Sequence, residues 1–140
     1  MKTPVTGSDG PGRPNRITVP RWSERIPDRV AWCVWLLKFN PTVYAAFVRS
    51  AEDHKRRFPT WRLSSELIVV NLRFMPGVRT EGDVFAISSH AKSLLARVYK
   101  AENPDADFDL RRCWIDVLHA DEWEILLEAM RAGRASLDGA

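Results

Sequence analysis

"DVFAISSHAKSLLARVYKAENPDADFDLRR", residues 83–112, is the stretch on which the reading of the fold turns. Residues 84–87, "VFAI", are β-branched and aromatic, which suits a short strand. Ser88 or Ser89 then stands where a helix needs an N-cap. Leu94, Leu95, Val98 and Tyr99 follow at helical spacing and face inward through about Glu102. Asn103 and Pro104 end that helix, because the residue before a proline is pushed out of helical backbone geometry. Residues 107–110, "DFDL", read as a second short strand paired with 84–87. Two strands this short cannot build a sheet-based core, so the stretch reads as the closing unit of a helical domain.

Working outward, the same logic yields helices on both sides. Asp28 is placed to cap a helix running to about Lys38 through "VAWCVWLL", residues 30–37. Asn40 is placed to cap the next helix, with Pro41 at its first position, where a missing N–H costs nothing. Val43, Tyr44, Phe47, Val48 and Ala51 give that helix one apolar stripe. Ser64 or Ser65 caps a third helix with Glu66 in its first turn, and Pro76-Gly77 stops it. Beyond the quoted stretch, Leu110, Cys113, Trp114, Val117 and Leu118 fall at i, i+3, i+4, i+7 and i+8, a helical stripe. Asp121 with Glu124 resembles a capping box opening a final helix through Trp123, Ile125, Leu126, Leu127 and Met130, with Gly133 as its stop. The expectation is a mainly α, five- or six-helix domain over 28–133, with at most a two-stranded ribbon of 84–87 with 107–110. A tail of 134–140 follows.

Residues 1–27 hold five of the nine prolines and three of the seven glycines and read as a flexible basic arm. At 140 residues the chain suits one domain with a real core. No run reaches the roughly 18–20 apolar residues of a membrane span. The N-terminus has no apolar signal core, so a cytoplasmic protein with no membrane association is expected. Cys33 and Cys113 lie in apolar surroundings beside tryptophans and are expected to be free thiols.

The sequence carries little catalytic chemistry. His54, His90 and His119 are scattered, and neither cysteine has a close ligand partner, so no metal site is expected. "SSH" at 88–90 lacks the glycine elbow of a nucleophilic serine, and capping explains it. Asp105, Asp107 and Asp109 alternate as a calcium loop might, but without its glycine and distal glutamate. No phosphate-binding glycine loop is present. The chain is therefore expected to be no enzyme and to need no cofactor.

Charge is more informative. Residues 1–59 carry 11 Lys/Arg against 5 Asp/Glu (+6), residues 60–100 carry 6 against 3 (+3), and residues 101–140 carry 4 against 10 (−6). Arg49, Lys55, Arg56, Arg57, Arg62, Arg73 and Lys92 form the candidate contact set for DNA or RNA phosphates. The competing reading is a protein partner, with Trp22 and Trp61 as aromatic anchors and Asp121, Glu122 and Glu124 as an acidic surface. A homodimer through the same apolar surface is compatible with either.

The segments "NPTVYAAF", "SSELIVVNLRF", "FAI", "LARVYKAENP" and "FDLR" together resemble a family of small proteins of unknown function from bacteriophages and prophages. The resemblance covers about half the chain. It departs from the family at Ser88, Ser89 and His90, where asparagines are usual. It implies a phage or mobile-element accessory protein; the basic run points such a protein to a nucleic-acid-binding regulator, and the tryptophans with the acidic last third point to an anti-CRISPR-like inhibitor of host defence. It implies no catalytic residue.

Overall fold

The computed structural model describes residues 19–72 and 89–139. Within them the protein is mainly helical. α1 spans Ile26–Phe39, α2 Pro41–Arg57, α3 Ser65–Leu72, α4 Ser89–Glu102 and α5 Ala120–Asp138, with a 3-10 turn at Trp114–Val117 before α5. There is no strand among the described residues. The expected strand at 84–87 lies outside them. Phe108, from its expected partner, forms an isolated parallel bridge with Leu63. The Leu63 N–H donates to Asp107 O (2.8 Å), and the Asp109 N–H donates to Leu63 O (3.2 Å).

α4 is the axis of the core. Ala91, Leu94, Leu95, Ala96, Val98 and Tyr99 are all fully buried, confirming the inward face read from spacing. α2 lays Val43, Tyr44, Ala46, Phe47 and Ala51 against this core. It ends at Phe58 because Pro59 disfavours helical geometry in the residue before it. The rings of Phe47, Tyr99 and Phe108 contact one another at 5.8–6.2 Å, which ties α2, α4 and the 103–112 segment together. Ser64 caps α3 as expected, its Oγ accepting from the Leu67 N–H at 3.2 Å.

α1 begins at Ile26, ahead of the expected cap. Asp28 sits inside its first turn and accepts a hydrogen bond from the Ser23 hydroxyl at 2.6 Å. Residues 19–25 are not a detached arm: Trp22 stacks on His90 with centroids 3.7 Å apart and meets Trp32 and Trp114 edge-on. Asn40 has no side-chain cap bond to α2. Its buried amide donates to Trp35 O at 3.1 Å and so closes the end of α1.

Three further expectations are corrected. The stripe from Leu110 to Leu118 is not a helix; only Trp114–Val117 turns, as 3-10. The Arg97 guanidinium donates to the Arg111 carbonyl at 2.6 Å, which ties the segment to α4, and Asp116 accepts from the Cys113 N–H at 2.9 Å within the turn. The cap of α5 is His119 rather than Asp121. The His119 N–H donates to Glu122 Oε1 (2.9 Å), while the Glu122 N–H donates to Asp121 Oδ1 (3.0 Å). Gly133 does not stop α5. It is buried mid-helix where α5 crosses α1, and α5 continues to Asp138.

Cys33 is buried and Cys113 half-buried, and both are free thiols. Burial pushes the Cys33 thiol up to about 12. No described helix is long and apolar enough to cross a membrane.

Candidate functional site

The end of α2 and the loop after it build the most distinctive surface. Residues 58–62, "FPTWR", leave the helix in a tight turn, with the Trp61 N–H donating to Phe58 O at 3.1 Å. That turn lays Trp61 flat on Phe58, centroids 4.4 Å apart and planes within 18°. His54 lies beneath both rings. It is buried, and its Nδ1 has no hydrogen-bond partner. The result is an aromatic ledge with Trp61 62% exposed and Phe58 37% exposed. Two stacked rings on a proline-stiffened turn hold one orientation with little freedom to lose on binding.

Beside the ledge is a groove of about 480 Å3. Trp61 and Lys55 form one wall, and Glu102, Asp105 and Asp107 bring carboxylates to the other. Glu102 is fixed by two bonds from Arg134 (2.7 and 2.8 Å) and one from the Tyr44 hydroxyl (2.6 Å). These donors, Arg134 foremost, hold its carboxyl below the usual range. The Tyr99 hydroxyl donates to Glu52, and burial raises the Tyr99 phenol well above its ordinary value.

The candidate phosphate-binding cations are largely committed to carboxylates. Lys55 pairs with Glu52 (3.8 Å), Arg56 and Arg57 both reach Asp53 (2.8 and 3.2 Å), and Arg62 reaches Asp107 (3.1 Å) and Asp109 (3.7 Å). Lys92 is on another face, half-buried against Glu66 at 3.3 Å. Arg49 is exposed on α2. Arg73 lies outside the described residues. The structure thus brings Lys55 to the groove beside Trp61, and Lys55, Arg56, Arg57 and Arg62 each stand with a counter-charge.

The candidate partner-binding residues separate into three places. Trp61 is on the ledge. Trp22 is within the aromatic cluster of Trp32, His90 and Trp114, with the Arg29 guanidinium 5.1 Å from its ring. Asp121 and Glu124 flank a shallow groove between α1 and α5, while Glu122 is engaged in the His119 cap. Sequence reasoning missed Phe58 as half of the ledge and the carboxylates of Glu102 and Asp105 beside it. The only sequence signal was the Phe-Pro-x-Trp turn directly after a helix. Among the described residues no three His, Cys, Asp or Glu side chains converge to hold a metal.

No protein-family model, no curated protein and no solved structure matches the chain.

Proposed function

We propose that the chain is a non-enzymatic protein-binding module, an accessory protein of a bacteriophage or mobile element that docks a host protein on the Phe58–Trp61 ledge. The observation that carries this reading is Trp61, 62% exposed on a turn that fixes its orientation. Covering that surface removes roughly 100–150 Å2 of apolar area from water, worth about 2–4 kcal/mol before association costs. Tryptophan with adjacent arginines is the composition of an interface anchor.

The charge around the ledge favours protein over nucleic acid. Lys55, Arg56, Arg57 and Arg62 face Glu52, Asp53, Asp107 and Asp109 as direct partners, with Glu102 and Asp105 beside them. Phosphates would have to displace carboxylates at each of these cations. A partner that lays an arginine or lysine on the Trp61 ring and into the acidic groove gains from both features.

The test compares wild type with Trp61→Ala in capture from a nuclease-treated bacterial host lysate, with circular dichroism confirming the fold. A stoichiometric partner retained by wild type and lost at least tenfold in the variant is the expected result. Capture unchanged by the substitution, or no partner at all, overturns the reading. Steeply salt-dependent binding of a labelled oligonucleotide that is lost in Trp61→Ala would return the ledge to nucleic acid.

A further inference from the structure

A second concavity, of about 520 Å3, opens where α4, the 110–116 segment and the start of α5 meet. Its lining differs in kind from the groove beside Trp61. Arg97, Lys100, Arg111 and Arg112 bring four cations to it, against the single carboxylate of Asp116. Asp116 is already matched, its two oxygens taking the Arg97 guanidinium at 2.8 and 3.0 Å. The remaining charge is therefore that of Lys100, Arg111 and Arg112. Lys100 is anchored by donating to Ala106 O at 2.6 Å. Arg111 and Arg112 are exposed and form no salt bridge among the described residues, although Arg112 lies near enough to Asp116 to help lower its carboxyl. The rest of the wall is apolar and aromatic: Leu110, Ile115 and the indole of Trp123.

One carboxylate facing four cations leaves net positive charge at the concavity, which favours an anion there. The Arg97 bond to the Arg111 carbonyl braces the backbone there against α4. The volume lies in the range of small-ligand sites, about 300–1,000 Å3. Guanidinium forks suit the paired oxygens of a phosphate, and an indole suits a flat ring.

We infer that this concavity is a binding site for a nucleoside phosphate, its phosphate held by Arg111 and Arg112 and its base placed against Trp123. Two sources present that chemistry, a free mononucleotide and an unpaired nucleotide in a single strand. The site shares no residue with the Phe58–Trp61 ledge, so it stands whether or not a protein docks there.

The experiment follows intrinsic tryptophan fluorescence and calorimetry of the full chain with four probes: 5′-AMP, inorganic phosphate, a 5′-phosphorylated single-stranded hexanucleotide and a hexaglutamate peptide. Saturable binding of AMP or of the hexanucleotide is expected, weakened at least tenfold in Arg111→Ala/Arg112→Ala and reduced in Trp123→Leu. Binding of AMP identifies the free nucleotide as sufficient. Binding of the hexanucleotide alone identifies the strand, and its salt dependence then falls by roughly one log–log unit per lost phosphate contact in the arginine variant. Phosphate binding as tightly as AMP and the hexanucleotide removes the base from the site and overturns the inference. So does binding of hexaglutamate alone, or of none of the four. Thermal unfolding of both variants checks the fold, and Arg111→Lys/Arg112→Lys, which keeps the charge, is expected to recover part of the affinity. Capture of a protein on the ledge is expected to be unchanged in the arginine variant, which separates the two sites.

Discussion

Replacing Gly133 with alanine sets two physical effects against each other, and their signs differ. Helix propensity alone predicts stabilisation, since alanine in a helix interior is favoured over glycine by about 1 kcal/mol. The crossing of α5 over α1 predicts the opposite. A Cβ on Gly133 would overlap the Leu37 carbonyl oxygen, well inside the 3.0 Å that real Cβ atoms keep, and would stand 3.1 Å from Cβ of Pro41. The Leu37 oxygen is backbone within α1, so no side-chain rotation relieves the clash. The two helices must separate by about an ångström along their main interface, which loosens Cys33, Leu36, Leu37, Leu126, Ala129 and Met130 together. Overpacking of this kind costs about 3 kcal/mol at the upper end of its usual range. The net is about 2 kcal/mol of destabilisation, or a fall in Tm of roughly 6–12 °C for a domain of this size. Thermal and urea unfolding followed at 222 nm measure it, and the urea midpoint is expected to fall with unchanged slope. Gly139→Ala, where the nearest atom to an added Cβ is Ala135 O at 3.3 Å, is the control and is expected to stay within about 0.5 kcal/mol. A Gly133→Ala protein as stable as wild type, or more so, would refute the close crossing.

The Arg134–Glu102–Tyr44 cluster predicts a specific acid response. Because the folded carboxyl titrates below its ordinary value, its contribution is complete above the unfolded value of about 4.3 and fades as pH falls through the folded one. Glu102→Gln is expected to lose about 1–2 kcal/mol at pH 7, discounted because Arg134 is half exposed, and the gap to wild type is expected to close by pH 3. A gap that stays constant from pH 7 to pH 3 would reject this assignment. The two thiols are expected to differ in reactivity at pH 8. Cys33, pushed up to about 12 by burial, should react with an aromatic disulfide reagent only on unfolding, and half-buried Cys113 should react first. Two equally fast thiols in the native protein would contradict the burial of Cys33.

Much of the helical plan was legible because it rests on local rules. The buried face of α4, the stripe of α2, the Ser64 cap and the Asn103–Pro104 stop follow from spacing and capping chemistry that act within a few residues. What was not legible depended on contacts far apart in sequence. The 110–118 stripe has a helical period, yet Arg97 on α4 takes the Arg111 carbonyl that a helix would need, and only Trp114–Val117 turns, as 3-10. Gly133 has the residue type of a helix stop, yet a second helix needs its missing side chain. The bridge of Phe108 to Leu63, 45 residues away, has no local signal either. The candidate site was half legible. The cations around Trp61 could be read as a cluster, but the carboxylates that neutralise them come from residues 102–109 and from the preceding turn of α2.

That neutralisation changes how the charge asymmetry of the chain should be understood. Regional sums suggest a basic first part and an acidic last part, but folding mixes them. Residues 103–112, "NPDADFDLRR", show how. Phe108 is buried and pinned to Leu63, with Asp105, Asp107 and Asp109 around it and Arg111 and Arg112 after them. On its N-terminal side Asp105 and Asp107 turn toward Lys55 and Trp61, making an acidic groove beside a basic helix end. On its C-terminal side Arg111 and Arg112 turn toward Trp123, making a cationic concavity within the acidic third of the sequence. One short extended segment therefore supplies opposite charges to two concavities, each with a tryptophan at its wall. Surface potential here follows which residues folding brings side by side, rather than where charge is dense along the chain.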